Sequence, residues 1–245
     1  MRAPRSERKV ALVTGASRGL GRTVAEFLTA EGYSVILTAR GTSDLEGVGT
    51  NLSRSGADVH CVAGDVTDPR HRSQLAEHVR AAGRLDLLVN NASELGPTPL
   101  PELSTYPLDG LRRVFEANVV APLALVQILL PWLERSRGRI VNISSDAALG
   151  GYPGWGGYGA SKAALDLVSH TLGEELKVRG VSVVSVDPGD LRTAMHQAAF
   201  PGQDISDRPL PSVTVPFWAW LLEQDPALVT GHRFRAQADR WEIPA

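Results

Sequence analysis

The sequence predicts an α/β fold, a doubly wound parallel sheet with helices on both faces, and three observations predict it. Short apolar runs alternate along the chain with stretches of helical periodicity, as βαβ units require. The first of these runs leads straight into a glycine-rich turn, Gly15-Ala16-Ser17-Arg18-Gly19-Leu20-Gly21, and then into a helix. The 245 residues, 43% hydrophobic and 21% charged, show no repeat or low-complexity linker and suffice for one large domain. A single domain over residues 9–245 is therefore expected. Residues 1–8 are basic with no long apolar segment behind them, and read as a frayed tail rather than a secretory signal.

The first strand is Lys9–Thr14, and helical periodicity begins at Arg22. Strand, glycine turn and helix in this order set backbone N–H groups and a positive helix end against a pyrophosphate. Gly15 permits the tight turn, Gly19 the approach of a phosphate, and Gly21 the packing of helix on strand. The spacing is G-x-x-x-G-x-G, which departs from the general G-x-G-x-x-G fingerprint. The second strand, Ser34–Arg40, ends where such folds discriminate between cofactors: an acid binds a ribose 2′-hydroxyl, a base a 2′-phosphate. Ala39 and Arg40 stand there, with no carboxylate before Asp44, and Arg18 lies in the glycine turn. Two guanidinium groups suit a phosphate, so NADP(H) is the expected cofactor.

The third strand, Val59–Val66, closes on Asp65 and Val66 and contains Cys61, the only cysteine. Cys61 is expected in the core; no disulfide can form within the chain, which suits a reducing, cytoplasmic compartment. A helix follows over Pro69–Ala82, then a fourth strand, Leu85–Asn90, and its exit, Asn91-Ala92-Ser93. The proline-rich residues 94–107 read equally as a rim over a site or as a surface loop. Arg112–Leu133 reads as a helix; its apolar part, Val119–Leu133, is too short to span a bilayer and contains Pro122 and Pro131, so it belongs to a core or a subunit contact. Asn118 on this apolar helix costs stability unless its amide is satisfied, which favours a functional role.

Arg139–Ile143 reads as a buried strand that passes through a glycine-rich loop into a helix carrying Tyr158 and Lys162, four residues apart and on one face. A phenol titrates near 10, but an ammonium about 4 Å away at an effective dielectric of about 20 favours phenolate by about 4 kcal/mol. That brings Tyr158 toward the range of a working acid/base catalyst. By itself Tyr-x-x-x-Lys is weak, since such pairs often bury one member while the other reaches for water. Gly180–Val186 is a further strand, ending in Asp187-Pro188-Gly189-Asp190-Leu191-Arg192-Thr193.

Thr14-Gly15-Ala16-Ser17-Arg18-Gly19-Leu20-Gly21 taken with Ser145, Tyr158 and Lys162 resembles the short-chain dehydrogenase/reductase family, over about Lys9–Thr193. The thirteen-residue step from Ser145 to Tyr158 is the one common in that family, so the resemblance selects Ser145 over Ser144. The resemblance implies hydride transfer between a nicotinamide and a carbonyl or secondary alcohol, with reduction favoured. It makes Tyr158 the acid/base and Ser145 the holder of the carbonyl oxygen; Lys162 lowers the phenol pKa and binds the ribose, and Asn118 supports a water relay. It also implies cofactor contacts from Gly15, Ser17, Arg18, Gly19, Leu20 and Gly21, from Arg40, from Asp65 and Val66 at the adenine, and from Asn91 and Ala92. Pro188, Gly189, Leu191 and Thr193 would meet the nicotinamide end. Ser93 stands where the family has glycine, a departure that bears on the local backbone.

Residues 194–212 read as a substrate-covering segment, 213–222 as a short helix and 230–237 as a last strand whose tail leaves homodimer and homotetramer equal. Tyr152, Trp155 and Phe200 suit an apolar or aromatic-tolerant cavity, or simply packing; Asp146 and Asp190 suit either a polar substrate group or a solvated rim. A net charge of −2 gives no footprint for nucleic acid or an anionic membrane, and the six histidines lack metal spacing. The alternative, a non-catalytic NADP(H)-binding sensor or scaffold, would be expected to lose a catalytic residue, and this chain keeps all four.

Overall fold

Val10–Thr14 forms β1, buried along its whole length. Consecutive apolar residues are stable in a strand when both of its faces are covered. Val10 and Leu12 join one core while Ala11 and Val13 join the other. The computed structural model describes residues 8–243; the stretch ahead of Arg8, read above as a frayed tail, lies outside the described residues.

The other strands are β2 (Ser34–Ala39), β3 (Val59–Ala63), β4 (Leu87–Asn90), β5 (Arg139–Ile143), β6 (Ser182–Asp187) and β7 (Arg233–Arg235). They form one seven-stranded sheet in the order β3-β2-β1-β4-β5-β6-β7, every pairing parallel. This is the doubly wound sheet that the sequence predicts. On one face lie α1 (Gly19–Ala30), α2 (Thr42–Arg54) and, late in the chain, α8 (Val215–Glu223). There Leu20, Val24 and Leu28 share a core with Leu45, Phe217, Trp218 and Leu221. The opposite face carries α3 (Pro69–Ala82), α5 (Ala121–Ser136) and α6 (Gly156–Lys177), through Leu75, Val79, Leu125, Leu129, Leu133 and Leu176. α3 is bounded as its residues dictate: Asp68 accepts the Arg70 N–H, Pro69 opens it, and Gly83 ends it in the left-handed conformation.

Two expectations are corrected here. Cys61 is exposed rather than in the core, because β3 is the outermost strand and most of its residues look out. The helix around Asn118 is longer than its periodicity suggests: α4 (Leu108–Phe115), a π-helical turn (Glu116–Val120) and α5 run continuously. Leu108–Ser136, at 29 residues, is by length and composition apolar enough to cross a membrane, so the argument from a short run fails. What accounts for its apolarity in the fold is the core under it, where Leu125, Leu129 and Leu133 are buried. Pro122 lies just past the π-helical turn within this continuous helix, and Pro131 lies further along it on an exposed position.

The chain winds outward from β1 to β3 and then returns to lay β4 against the other side of β1. Connections leaving β1 and β4 therefore diverge, and the crevice beyond their carboxyl ends is where ligands bind in sheets of this kind.

Candidate active site

That crevice is a cavity of about 910 Å³. Every residue that the sequence assigns to cofactor or catalysis lines it, except Gly21 and Asn118, which stand behind its wall.

The glycine turn forms one end. Gly15 has φ +66°, a region that favours glycine. A Cβ on Gly21 would sit 2.4 Å from the Gly15 carbonyl oxygen and 2.5 Å from Asn91 Nδ2, so helix and strand touch here through backbone. Asn91 Nδ2 donates to the carbonyls of Thr14 (2.8 Å) and Gly15 (3.2 Å), while Thr14 Oγ1 accepts the Asn91 and Ala92 N–H groups, both at 2.9 Å. No side chain caps the N-terminus of α1. Its first N–H groups and the helix dipole face the cavity, a donor set that fits a pyrophosphate. Arg18 and Arg40 are exposed at the same end, Arg40 with Glu94 at 3.7 Å. Asp65 Oδ1 accepts both the N–H and the hydroxyl of Thr67, and Val66 is buried beside it.

At the other end, Asn90 Nδ2 donates to Asn142 Oδ1 (2.8 Å), and Asn142 Nδ2 to Ser169 Oγ (2.8 Å), a chain of amides that fixes β4, β5 and α6 against one another. The first turn of α6 then packs on the Asp146–Ala148 turn so closely that a Cβ on Gly159 would lie 2.5 Å from the Ala147 carbonyl oxygen. Tyr158 and Ser145 are brought together by this contact, with the Ser145 hydroxyl close enough to favour the phenolate form of Tyr158. Ser144, by contrast, is buried with no partner for its hydroxyl among the described residues. Ser145 Oγ donates to Asp146 Oδ1 at 3.0 Å. A hydroxyl has one proton, so Asp146 competes for the Ser145 hydrogen bond with whatever oxygen lies at Tyr158. Asp190 instead faces Arg208, 3.3 Å away.

The expected electrostatics of Tyr158 are reversed. Burial pushes the phenol well above its ordinary value; hydrogen bonds from Ser93 and Ser145 oppose this, and the Asp187 and Asp146 carboxylates add to it. Lys162 Nζ is 5.5 Å from the ring centroid and donates to the Ile143 carbonyl at 2.7 Å. At that range its attraction for a phenolate is weaker than the hydration the phenolate would lose. Burial also lowers Lys162, to about 8, with Asp166 opposing.

The Asn118 side chain is tied into the protein. Its amide donates to the Glu94 carbonyl (2.9 Å) and Ser161 Oγ (2.9 Å), and its oxygen accepts Ser93 Oγ (3.0 Å) and the Glu94 N–H (2.7 Å). Both hydrogens and both lone pairs are used within the protein, leaving no position on the side chain for a relay through water. Ser93 needs no unusual backbone: among the described residues only Arg137 is a non-glycine with positive φ. Its hydroxyl, standing between Asn118 and Tyr158, is a site group that the sequence marks only as a departure from glycine. Arg233, tied to Ser145, and Asp187, which bears on Tyr158, were assigned no role from the sequence, where Asp187 stands only as the residue before the Pro-Gly turn.

Residues 9–204 match the short chain dehydrogenase family. The chain belongs to the short-chain dehydrogenase/reductase family. This family member is 33% identical over 238 residues to the oxidoreductase YciK of Escherichia coli strain K12, covering 95% of this chain and 93% of that one. A short chain dehydrogenase of Shigella flexneri 2a, crystallised with NADP, superposes with a TM-score of 0.87 at 33% identity, covering 94% of this chain and 97% of that one. A variant of actinorhodin polyketide ketoreductase, crystallised with NADPH, gives 0.86 at 28% identity, covering 96% and 97%. The chain is thus an oxidoreductase-family protein with a Rossmann-type fold.

Proposed function

We propose that the protein is an NADP(H)-dependent carbonyl reductase of the ketoreductase type, working on small carbonyl compounds in the cytoplasm as a homo-oligomer. One observation carries this reading: Tyr158, Ser145 and Lys162 share a single cavity with the glycine turn and Arg40. The cofactor-bound crystal structures of its relatives support the choice of NADP(H).

NADPH supplies the hydride. Residues of the chain do the rest. The α1 N-terminus and the backbone from Gly15 to Leu20 bind the pyrophosphate, and Arg18 and Arg40 take the 2′-phosphate. Ser145 holds the carbonyl oxygen beside Tyr158, whose hydroxyl proton passes to the forming alkoxide. Charged Lys162 then stabilises the phenolate left behind. Leu95, Trp155, Met195 and Phe200, which line the substrate end, favour an apolar or aromatic carbonyl compound. Of residues 194–212, read as a substrate-covering segment, it is α7 (Ala194–Ala199) and Phe200 that line the cavity.

A panel of aryl and cyclic ketones, followed by NADPH absorbance, tests the assignment. NADPH should exceed NADH in kcat/KM by at least about tenfold, and Arg40→Ala should narrow that ratio by removing one charge-assisted contact. Equal use of the two cofactors would overturn the choice.

The pH dependence has a definite sign. Below about 8, Lys162 is charged and Tyr158 holds its proton, the pairing that reduction requires. Reduction should therefore be steady at neutral pH and fall as pH rises through about 8, while alcohol oxidation rises over the same interval. A reductase rate that climbs through this window contradicts the assignment of roles.

A further inference from the structure

Arg233 of β7 reaches three elements at once. Its Nη2 donates to the Ser145 carbonyl at 2.9 Å and contacts Asp187 Oδ2 at 3.2 Å, while Nε donates to Asp166 Oδ2 at 3.0 Å. Asp166 lies one turn beyond Lys162 on α6, which itself lies one turn beyond Tyr158, so the three share a helix face. Asp187 ends β6, and its second oxygen accepts the Gly189 N–H at 2.9 Å, at the start of the Pro-Gly turn. Both acids are largely out of water, with side-chain exposures of 15% for Asp166 and 5% for Asp187. Among the described residues, Arg233 is the only cation paired with either.

We propose that Arg233 is a positioning residue for catalysis: it anchors Ser145 by its carbonyl and neutralises the buried carboxylates that flank Lys162 and Tyr158. The inference rests on the reading of those three residues as the catalytic set.

The groups facing this set define what the guanidinium balances. Tyr158 meets Asp146 from the turn after β5, Asp187 from β6, Lys162 from its own helix, and the hydroxyls of Ser93 and Ser145. Lys162 meets Asp166 and the Ile143 carbonyl. Asp187 holds the Tyr158 proton more tightly, and Asp166 does the same for Lys162. A guanidinium forked between the two acids moderates both effects from behind, without touching substrate. The Ser145 carbonyl also accepts the Ala148 N–H, so the same anchor fixes the turn from which Ser145 Oγ projects.

The test compares the full-length wild type with Arg233→Gln, Arg233→Lys and Asp166→Asn, using acetophenone and NADPH from neutral to alkaline pH. For Arg233→Gln, kcat should drop by about 10- to 100-fold through misplacement of Ser145, with KM for NADPH unchanged. Its alkaline limb should move to higher pH, since both carboxylates are then uncompensated. Arg233→Lys should recover part of the rate, keeping the charge and losing the fork. Asp166→Asn should move the limb the opposite way, and it serves alone if Arg233→Gln fails to fold. A wild-type kcat with an unmoved limb in Arg233→Gln overturns the inference, as does an unmoved limb in Asp166→Asn. A wild type inert toward ketones would instead sink the reading of the site. In that event amide exchange with NADP bound still judges the anchor: faster exchange at Ala148 in Arg233→Gln upholds it, unchanged exchange rejects it.

Discussion

Tyr158→Phe lowers NADPH-dependent carbonyl reduction by roughly 10²- to 10⁴-fold, the range of a lost general acid, and leaves NADPH binding within a few-fold of wild type. The residue is only 8% exposed, and its ring packs edge-on against Trp155 at 5.9 Å. Phenylalanine keeps that packing and the burial, so the fold should hold. What disappears is the one oxygen that Ser93 and Ser145 both address. Removing it costs on the order of 1 kcal/mol in hydrogen bonds, small against the kinetic loss. Single-turnover NADPH oxidation, NADPH fluorescence titration and a melting curve separate the three quantities. A variant whose kcat stays within about tenfold of wild type would mean that another group donates the proton.

Gly21→Ala should damage both stability and cofactor binding, for a purely steric reason. The new methyl would lie 2.4 Å from the Gly15 carbonyl oxygen and 2.5 Å from Asn91 Nδ2, neither of which is the far end of a flexible chain. Gly15 is held by Asn91, and Asn91 by Thr14, so relief requires α1 to tilt away from β1. Overpacking of this kind costs about 1–3 kcal/mol, or about 2–4 °C of Tm per kcal/mol in a domain of this size. The tilt also withdraws the α1 N–H groups from the pyrophosphate, so Kd for NADPH should rise by about tenfold or more. Gly47→Ala supplies the contrast. It lies inside α2 with nothing within 4 Å of the added atom, and should stabilise by about 0.5–1 kcal/mol. Equal melting temperatures for the two variants would refute the close-contact account of Gly21.

The parallel sheet and the turn after β1 were legible in the sequence, encoded locally by apolar runs and by glycine spacing. Ser145, Tyr158 and Lys162 were singled out through the family resemblance, and the fold brings them to one cavity. The misplaced features are those that local pattern cannot reach. Cys61 sits in an apolar run, yet its strand falls at the edge of the sheet, a matter of strand order and not of composition. Pro122 and Pro131 looked like interruptions, yet one continuous helix runs through both. Asn118 was rightly singled out as an amide needing partners, and only the folded chain shows that Ser93, Glu94 and Ser161 are those partners.

By itself, then, the sequence determined the family, the sheet and which side chains could carry chemistry, because these follow from residue type and short-range spacing. The tertiary structure decided the protonation balance at Tyr158 and Lys162. That balance depends on burial and on Asp146, Asp166 and Asp187, charges that come from the turn after β5, from α6 itself and from β6. Electrostatic energy varies with distance and with access to water, and both are properties of the assembled fold.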